Sequence, residues 1–201
     1  MARMPSAERR RQLTEAAVRV MARDGVARTT TRSVSAEAGV SLSVFHYCFD
    51  SKQALLEAVI ALITDRYVAM VKEVLRPRAT LGETVRAGFQ AYWDHVVAHP
   101  GQHMLTYELT QYALREPGSA HLAHRQYGLY ADAYRELIEQ LGEHTGFVPA
   151  VPVPVLAEYL AAVTDGLTLH ALARGGDTAA PEILDLVTAQ VTALATGRPE
   201  S

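Results

Sequence analysis

Small hydroxyl side chains gather twice in the first fifty residues, each time beside arginine or lysine. Thr29, Thr30 and Thr31 lie between Arg28 and Arg32. Ser41, Leu42, Ser43 and Val44 open a short segment that continues through His46 and Tyr47 towards Ser51 and Lys52. Hydroxyls and backbone N–H groups at a helix start can hold phosphate oxygens, and basic side chains add charge. Ser41, Ser43 and Val44 are also small enough to approach base edges, hydroxyls to hydrogen-bonding positions and valine methyls to a thymine methyl. This is the chemistry of recognition, not of bond making. The sequence has no Gly-x-Ser-x-Gly elbow, dinucleotide glycine pattern, phosphate loop or His-Glu-x-x-His pair, so no enzyme and no cofactor are expected. His95, His99 and His103 have i, i+4 spacing, but Pro100-Gly101 interrupts their helix. His121 and His124 lack an evident third ligand, so no metal is expected.

To be presented to a groove, these residues need rigid supports. From Ser6 to Asp24, Leu13, Ala16, Ala17, Val20 and Met21 recur at spacings of three and four, one face of a helix that Ser6 can cap and Gly25 can end in a left-handed cap. A short helix is expected from Thr30 or Thr31 to Ala38, stopped by Gly39, and another from about Leu42 to Cys48, capped by Ser41. Two short helices joined by a glycine-containing turn and braced by a third describe a helix-turn-helix, whose second rod enters a major groove about 12 Å wide.

Charge agrees. Residues 1–52 carry nine basic and five acidic side chains, net +4, while residues 53–201 are net −7. A basic head on an acidic body points to a polyanion met by the head alone. The sole cysteine, Cys48, excludes an intrachain disulfide and reads as a buried, inert thiol. No apolar run is long enough for a membrane span and no signal-type segment opens the chain, so a cytoplasmic protein without membrane contact is expected.

The other segments are also helical. A long helix starts at Asp50 or Ser51 and must end by Pro77. Thr80-Leu-Gly-Glu83 is a capping-box pattern opening a helix to about Ala98, and further helices are expected near 101–114, 118–143, 153–174 and 181–196. With 201 residues, 49% apolar and 7% aromatic, the chain reads as all-α with about nine helices: a three-helix DNA-binding head over residues 1–52, the fourth helix (51–75) as connector, and a larger helical domain over 53–201.

Residues 9–63 together resemble the DNA-binding domain of the TetR family of transcriptional regulators. The markers are Asp24-Gly25, Thr29-Thr30, Val34, Glu37-Ala38-Gly39-Val40-Ser41, the cluster Phe45-His46-Tyr47-Cys48-Phe49, and Ser51-Lys52 with Leu55-Leu56. The resemblance implies a dimer that binds palindromic double-stranded DNA and usually represses, with a C-terminal domain that dimerises and holds a small-molecule inducer. It implies that Thr30 and Arg32 face phosphate, that Ser41 to Val44, His46 and Tyr47 face the groove, and that Lys52 clamps a phosphate; Arg28 and Thr31 belong to the same surface. Two departures stand out. Leu42 replaces a usual lysine or arginine, removing one phosphate or base contact, and His46 stands where a DNA-contacting tyrosine is usual.

In the C-terminal domain, the helices around residues 89–134 carry most of the aromatics and line the ligand cavity in the resembled family. Trp93, His103, Met104, Tyr107, Tyr127 and Asp165 are the expected ligand contacts. Asp165, amid apolar residues, can hold a cationic or hydroxylated ligand, or take an internal arginine or a helix cap. Leu156, Leu160, Val163 and Leu167, with Ile183, Val187, Val191 and Leu194, form two apolar stripes that resemble the dimer helices of the family; intrachain core is the alternative. A ligand acts through its differential affinity for two states, with the long fourth helix as lever. The competing readings are a helical interaction module that leaves the basic head unused, and an enzyme built from scattered groups.

Overall fold

The computed structural model describes residues 5–74, 80–175 and 180–194. Among them are nine α-helices: α1 (Ser6–Asp24), α2 (Thr31–Glu37), α3 (Leu42–Cys48), α4 (Lys52–Val74), α5 (Leu81–Ala98), α6 (Pro100–Arg115), α7 (Ala120–Thr145), α8 (Val153–Ala173) and α9 (Ala180–Ala193). The expected end of the fourth helix before Pro77, the break at Gly176-Asp177 and residues 195–196 of the last helix lie outside the described residues.

Most helix starts follow the local chemistry. Thr30 caps α2 in a reciprocal box, its Oγ1 accepting from the Ser33 N–H at 3.1 Å while the Ser33 Oγ accepts from the Thr30 N–H at 3.0 Å. Thr80 and Glu83 form the expected box at α5, and the Ser51 Oγ accepts from the Ala54 N–H at 3.0 Å ahead of α4. Two details differ. Ser6 lies inside α1, whose cap is Pro5, and no side chain caps that end. Gly25 has φ 84° and ψ 156°, a positive φ with an extended ψ instead of a left-handed cap, and its N–H still donates to the Met21 carbonyl at 2.8 Å.

The chain forms two compact units. One comprises Met1–Asp65 with Gly101–Tyr127, the other Arg66–Pro100 with Gly128–Ser201. Segment 101–127, grouped from sequence with the larger domain, therefore belongs with the helix-turn-helix.

In the first unit Leu13, Ala16, Ala17, Val20 and Met21 of α1 are buried with Val34, Phe45, Phe49, Leu55 and Leu56. Each large apolar side chain buried here contributes about 1.5–3 kcal/mol. The α2–α3 turn needs Gly39, whose φ of 65° strains any residue with a Cβ. The Gln12 Nε2 donates to the Ala38 carbonyl at 2.9 Å, tying the turn to α1.

Glu37 ties α2 to α1 from the surface, accepting from the Arg19 Nε at 2.8 Å and the Arg23 Nη1 at 3.2 Å. The Arg19 and Arg23 guanidiniums hold its carboxyl below the usual range. A depressed carboxylate stabilises the fold above the ordinary Glu range and loses that contribution as pH falls through the lowered value. The thermal midpoint of Glu37→Gln should therefore lie below that of the wild type at pH 7, and the two should converge in acid. A gap that persists or widens in acid would contradict this assignment.

In the second unit α5 packs on α8 and α9 around Val85, Phe89, Tyr92, Trp93, Leu156 and Leu184. The Arg86 Nε reaches Asp185 Oδ1 at 2.5 Å, and the Tyr159 hydroxyl donates to Gln190 Oε1 at 2.6 Å.

Candidate nucleic-acid interface and internal cavity

The α3 helix has one inward anchor and an open outer face. Phe45 is buried, 5.5 Å from the Phe49 ring between centroids, and Phe49 in turn lies under the Arg10 guanidinium at 4.2 Å. Ser41, Ser43, His46 and Tyr47 are exposed, Tyr47 at 69%, while Leu42 and Val44 are half-buried at the edge. The Ser41 and Ser43 hydroxyls share a 2.8 Å hydrogen bond. Cys48 is a free, half-buried thiol.

Around this face, Arg32 is exposed and Thr31 half-buried. Arg28 is exposed and donates from Nε to the Asp24 carbonyl at 2.6 Å. Thr30 is exposed, its hydroxyl engaged in the α2 cap. Thr29 turns inward, donating from Oγ1 to the Gly25 carbonyl at 2.8 Å. Lys52 is half-buried: its Nζ stands 4.8 Å from the Tyr112 ring centroid and 3.5 Å from the Val26 carbonyl. Burial pushes its ammonium pKa down, partly offset by Glu116.

Lys52 thus meets the first unit's second layer, which sequence reasoning missed. The Glu108 Oε2 accepts from the Val26 N–H at 3.0 Å, and a Cβ on Gly25 would approach the same oxygen to 3.3 Å. The Gln53 Nε2 donates to the Ser119 hydroxyl at 3.1 Å, and His121 faces Glu57 at 3.6 Å. Through these contacts α6 and the start of α7 brace the α1–α2 turn and the start of α4.

The second unit contains a cavity of about 80 Å³. Its aromatic wall is Tyr67, Phe89, Tyr92, Tyr134 and Phe147; Leu137, Ile138, Leu156, Leu160 and Val191 supply aliphatic surface, and Thr164 a hydroxyl. None of the six ligand contacts expected from sequence lines it. His103, Met104, Tyr107 and Tyr127 belong to the first unit. Trp93 is buried in the second unit's core away from the wall, and Asp165 is half-buried. The physical reason is rotation: Phe89 and Tyr92 are on the same helix as Trp93, and aromatic spacing alone does not say which of them turns inward.

The apolar stripes of α8 and α9 need a similar correction. Leu156, Leu160, Val187 and Val191 are buried within the single chain, and Val163, Leu167, Ile183 and Leu194 pack against that core. None of the eight points freely outward. The solvent-facing apolar residues include Val155, Ala162, Gly166, Leu169 and Ala173 on α8, with Leu186, Ala189 and Ala193 on α9. Leu169 is 52% and Leu186 65% exposed. A helix apolar all round, as α8 is, gives no periodic signal for which stripe faces its own core.

Among the described residues no group of three histidine, cysteine, aspartate or glutamate side chains could hold a metal, and no helix is long and apolar enough to cross a membrane.

Comparison with known proteins agrees with this architecture. The family model for "Bacterial regulatory proteins, tetR family" matches residues 13–59, and that for "BetI-type transcriptional repressor, C-terminal" matches residues 82–196. The chain is 25% identical over 183 residues to the HTH-type nicotine-responsive transcriptional repressor HdnoR of Paenarthrobacter nicotinovorans, covering 91% of this chain and 93% of the relative. It is 34% identical over 87 residues to the HTH-type transcriptional regulator BetI of Rhizobium meliloti, covering 41% of this chain and 43% of that one. A crystal structure of a transcriptional regulator from Rhodococcus sp. Rha1 superimposes with a TM-score of 0.75 at 20% identity, over 94% of this chain and 99% of the other, a likeness of fold.

Proposed function

Because the chain belongs to the TetR family of bacterial transcriptional regulators, we propose that it is a repressor that binds a palindromic operator as a dimer and leaves it when a small molecule enters the cavity of the second unit. The observation that carries the DNA-binding part is the exposed row Ser43, His46 and Tyr47, held outward on α3 by the buried Phe45. In this reading Ser41 to Val44, His46 and Tyr47 read base edges, and Arg28, Thr30, Thr31, Arg32 and Lys52 meet phosphates. Lys52 would first have to leave the Tyr112 ring. A helix-turn-helix dimer reads two half-sites about 34–36 Å apart, one duplex turn.

The ligand response is supported by the cavity and by likeness to a nicotine-responsive repressor along most of the chain. A ligand lowers DNA affinity only as far as it prefers the form with the wrong half-site spacing. Residues of α4 contribute to both units, which makes this helix the natural lever.

For the dimer we assign the exposed apolar residues of α8 and α9, since a second copy would cover Leu169 and Leu186. Leu169→Glu and Leu186→Glu together should shift the particle in solution from two chains to one chain of 21.9 kDa, as read by light scattering. They should also weaken operator binding by more than tenfold, because two joined half-sites bind far more tightly than one. A dimer that survives both changes would exclude this face.

The whole proposal is tested by selecting bound sites from random duplex DNA with the purified protein. The expected sites are palindromic, with affinity that falls steeply with salt. Unselective or salt-insensitive binding would reject it.

A further inference from the structure

The chemical class of the ligand follows from proton bookkeeping inside the cavity, an argument that rests on reading the cavity as the ligand site. The Thr164 hydroxyl donates its proton to the Leu160 carbonyl, which can only accept. The hydrogen bond between Tyr134 and Thr164 must then be donated by Tyr134. With the Tyr134 proton committed, the 2.8 Å contact between Tyr67 and Tyr134 must be donated by Tyr67. The chain runs one way, from Tyr67 through Tyr134 and Thr164 to the backbone, and every proton in it is used. What the Tyr67 oxygen still offers is a lone pair, hence an acceptor. Tyr92 ends a second such bond, donated to Thr168, whose own proton goes to the Thr164 carbonyl.

The rest of the wall is aromatic and aliphatic, and none of its lining residues is charged. Burial raises the pKa of both Tyr67 and Tyr134, that of Tyr67 well above the ordinary phenol value, so neither supplies a negative charge near neutral pH. Asp165 lies off this wall, although its field reaches Tyr134. An ion entering such a space loses its hydration without a counter-charge, and aromatic faces recover only part of that loss for a cation.

We propose that the ligand is an uncharged, mainly apolar molecule carrying one hydrogen-bond donor, and that Tyr67 Oη receives this donor. The test is calorimetric titration of the full-length protein with four probes built on one benzene ring, the ring size nearest the small cavity: phenol, anisole, benzoate and trimethyl(phenyl)ammonium. In the wild type, phenol should bind roughly three- to tenfold tighter than anisole, the usual worth of one neutral hydrogen bond. Both ions should bind more than about 100-fold more weakly than phenol. Tyr67→Phe should bring the two neutral probes to parity, chiefly by weakening phenol.

An ion that matches phenol, or a phenol preference that survives Tyr67→Phe, overturns the proposed ligand class while leaving the cavity as the site. Leu137→Trp fills the cavity and should abolish binding of every probe, its fold checked by thermal unfolding; Ile138→Phe takes its place if it fails to fold. Phenol binding undiminished by the filled cavity, or no binding of any probe to the wild type, overturns the cavity reading and the proposal with it.

Discussion

Phe45→Ala is expected to remove specific DNA binding by unseating α3, with a loss of about 3–5 kcal/mol, the usual cost of emptying a buried phenylalanine site. Phe45 is 1% exposed and is the buried residue of a seven-residue helix. A helix this short has little stability of its own, so tertiary packing must hold it. The loss is a large share of the roughly 5–15 kcal/mol that stabilises a whole domain. Two compact units allow the effect to be localised. The single tryptophan, Trp93, is buried in the second unit and reports on it alone. Far-ultraviolet dichroism should lose helix at lower denaturant in the variant, while the Trp93 fluorescence transition stays near its wild-type midpoint. Phe45→Leu keeps much of the volume and should cost about 1 kcal/mol. If Phe45→Ala unfolds with the wild-type midpoint and binds operator normally, α3 is held by something else.

The legibility of this helix in sequence has a local cause. Gly39 fixes the turn, Thr30 and Ser33 the start of α2, and Phe45 and Phe49 the inward side of α3, all within twenty residues. The brace behind it was hidden for the opposite reason: Glu108 meets Val26 across 82 positions, and nothing near either residue announces the other. The cavity was hidden by rotation. Tyr67 stands in the apolar stripe of α4 and reads as core, yet its hydroxyl begins the chain that reaches Thr164. On α8 the stripe read from sequence as a partner face, with intrachain core as the alternative, has Leu156 and Leu160 buried in its own unit and Val163 and Leu167 half-buried against it, while the exposed face carries Val155, Ala162, Gly166 and Leu169. Periodicity finds that a helix is amphipathic or apolar; long-range packing decides which neighbour receives each face.

Tyr47→Ala and Arg32→Ala should fail in different ways, and the difference separates base reading from phosphate holding. Tyr47 is 69% exposed, so its truncation leaves the fold within about 0.5 kcal/mol. If it reads a base edge, its loss costs about 1–3 kcal/mol at each half-site. A dimer on a palindrome pays twice, so operator affinity should drop by roughly 30-fold to 10⁴-fold. Affinity for random duplex should hardly change, because that binding is electrostatic. Arg32 is exposed on α2 beside the same face. Its replacement should weaken operator and random duplex alike and reduce the slope of log affinity against log salt by about 0.9 for each phosphate lost, about two per dimer. Competition titrations at several salt concentrations measure both quantities at once. Equal losses on operator and random DNA for Tyr47→Ala would mean that its ring touches backbone only. An unchanged salt slope for Arg32→Ala would remove it from the phosphate contacts and move the basic footprint to Arg28 and Lys52, where the cost of freeing Lys52 from Tyr112 then becomes part of the affinity.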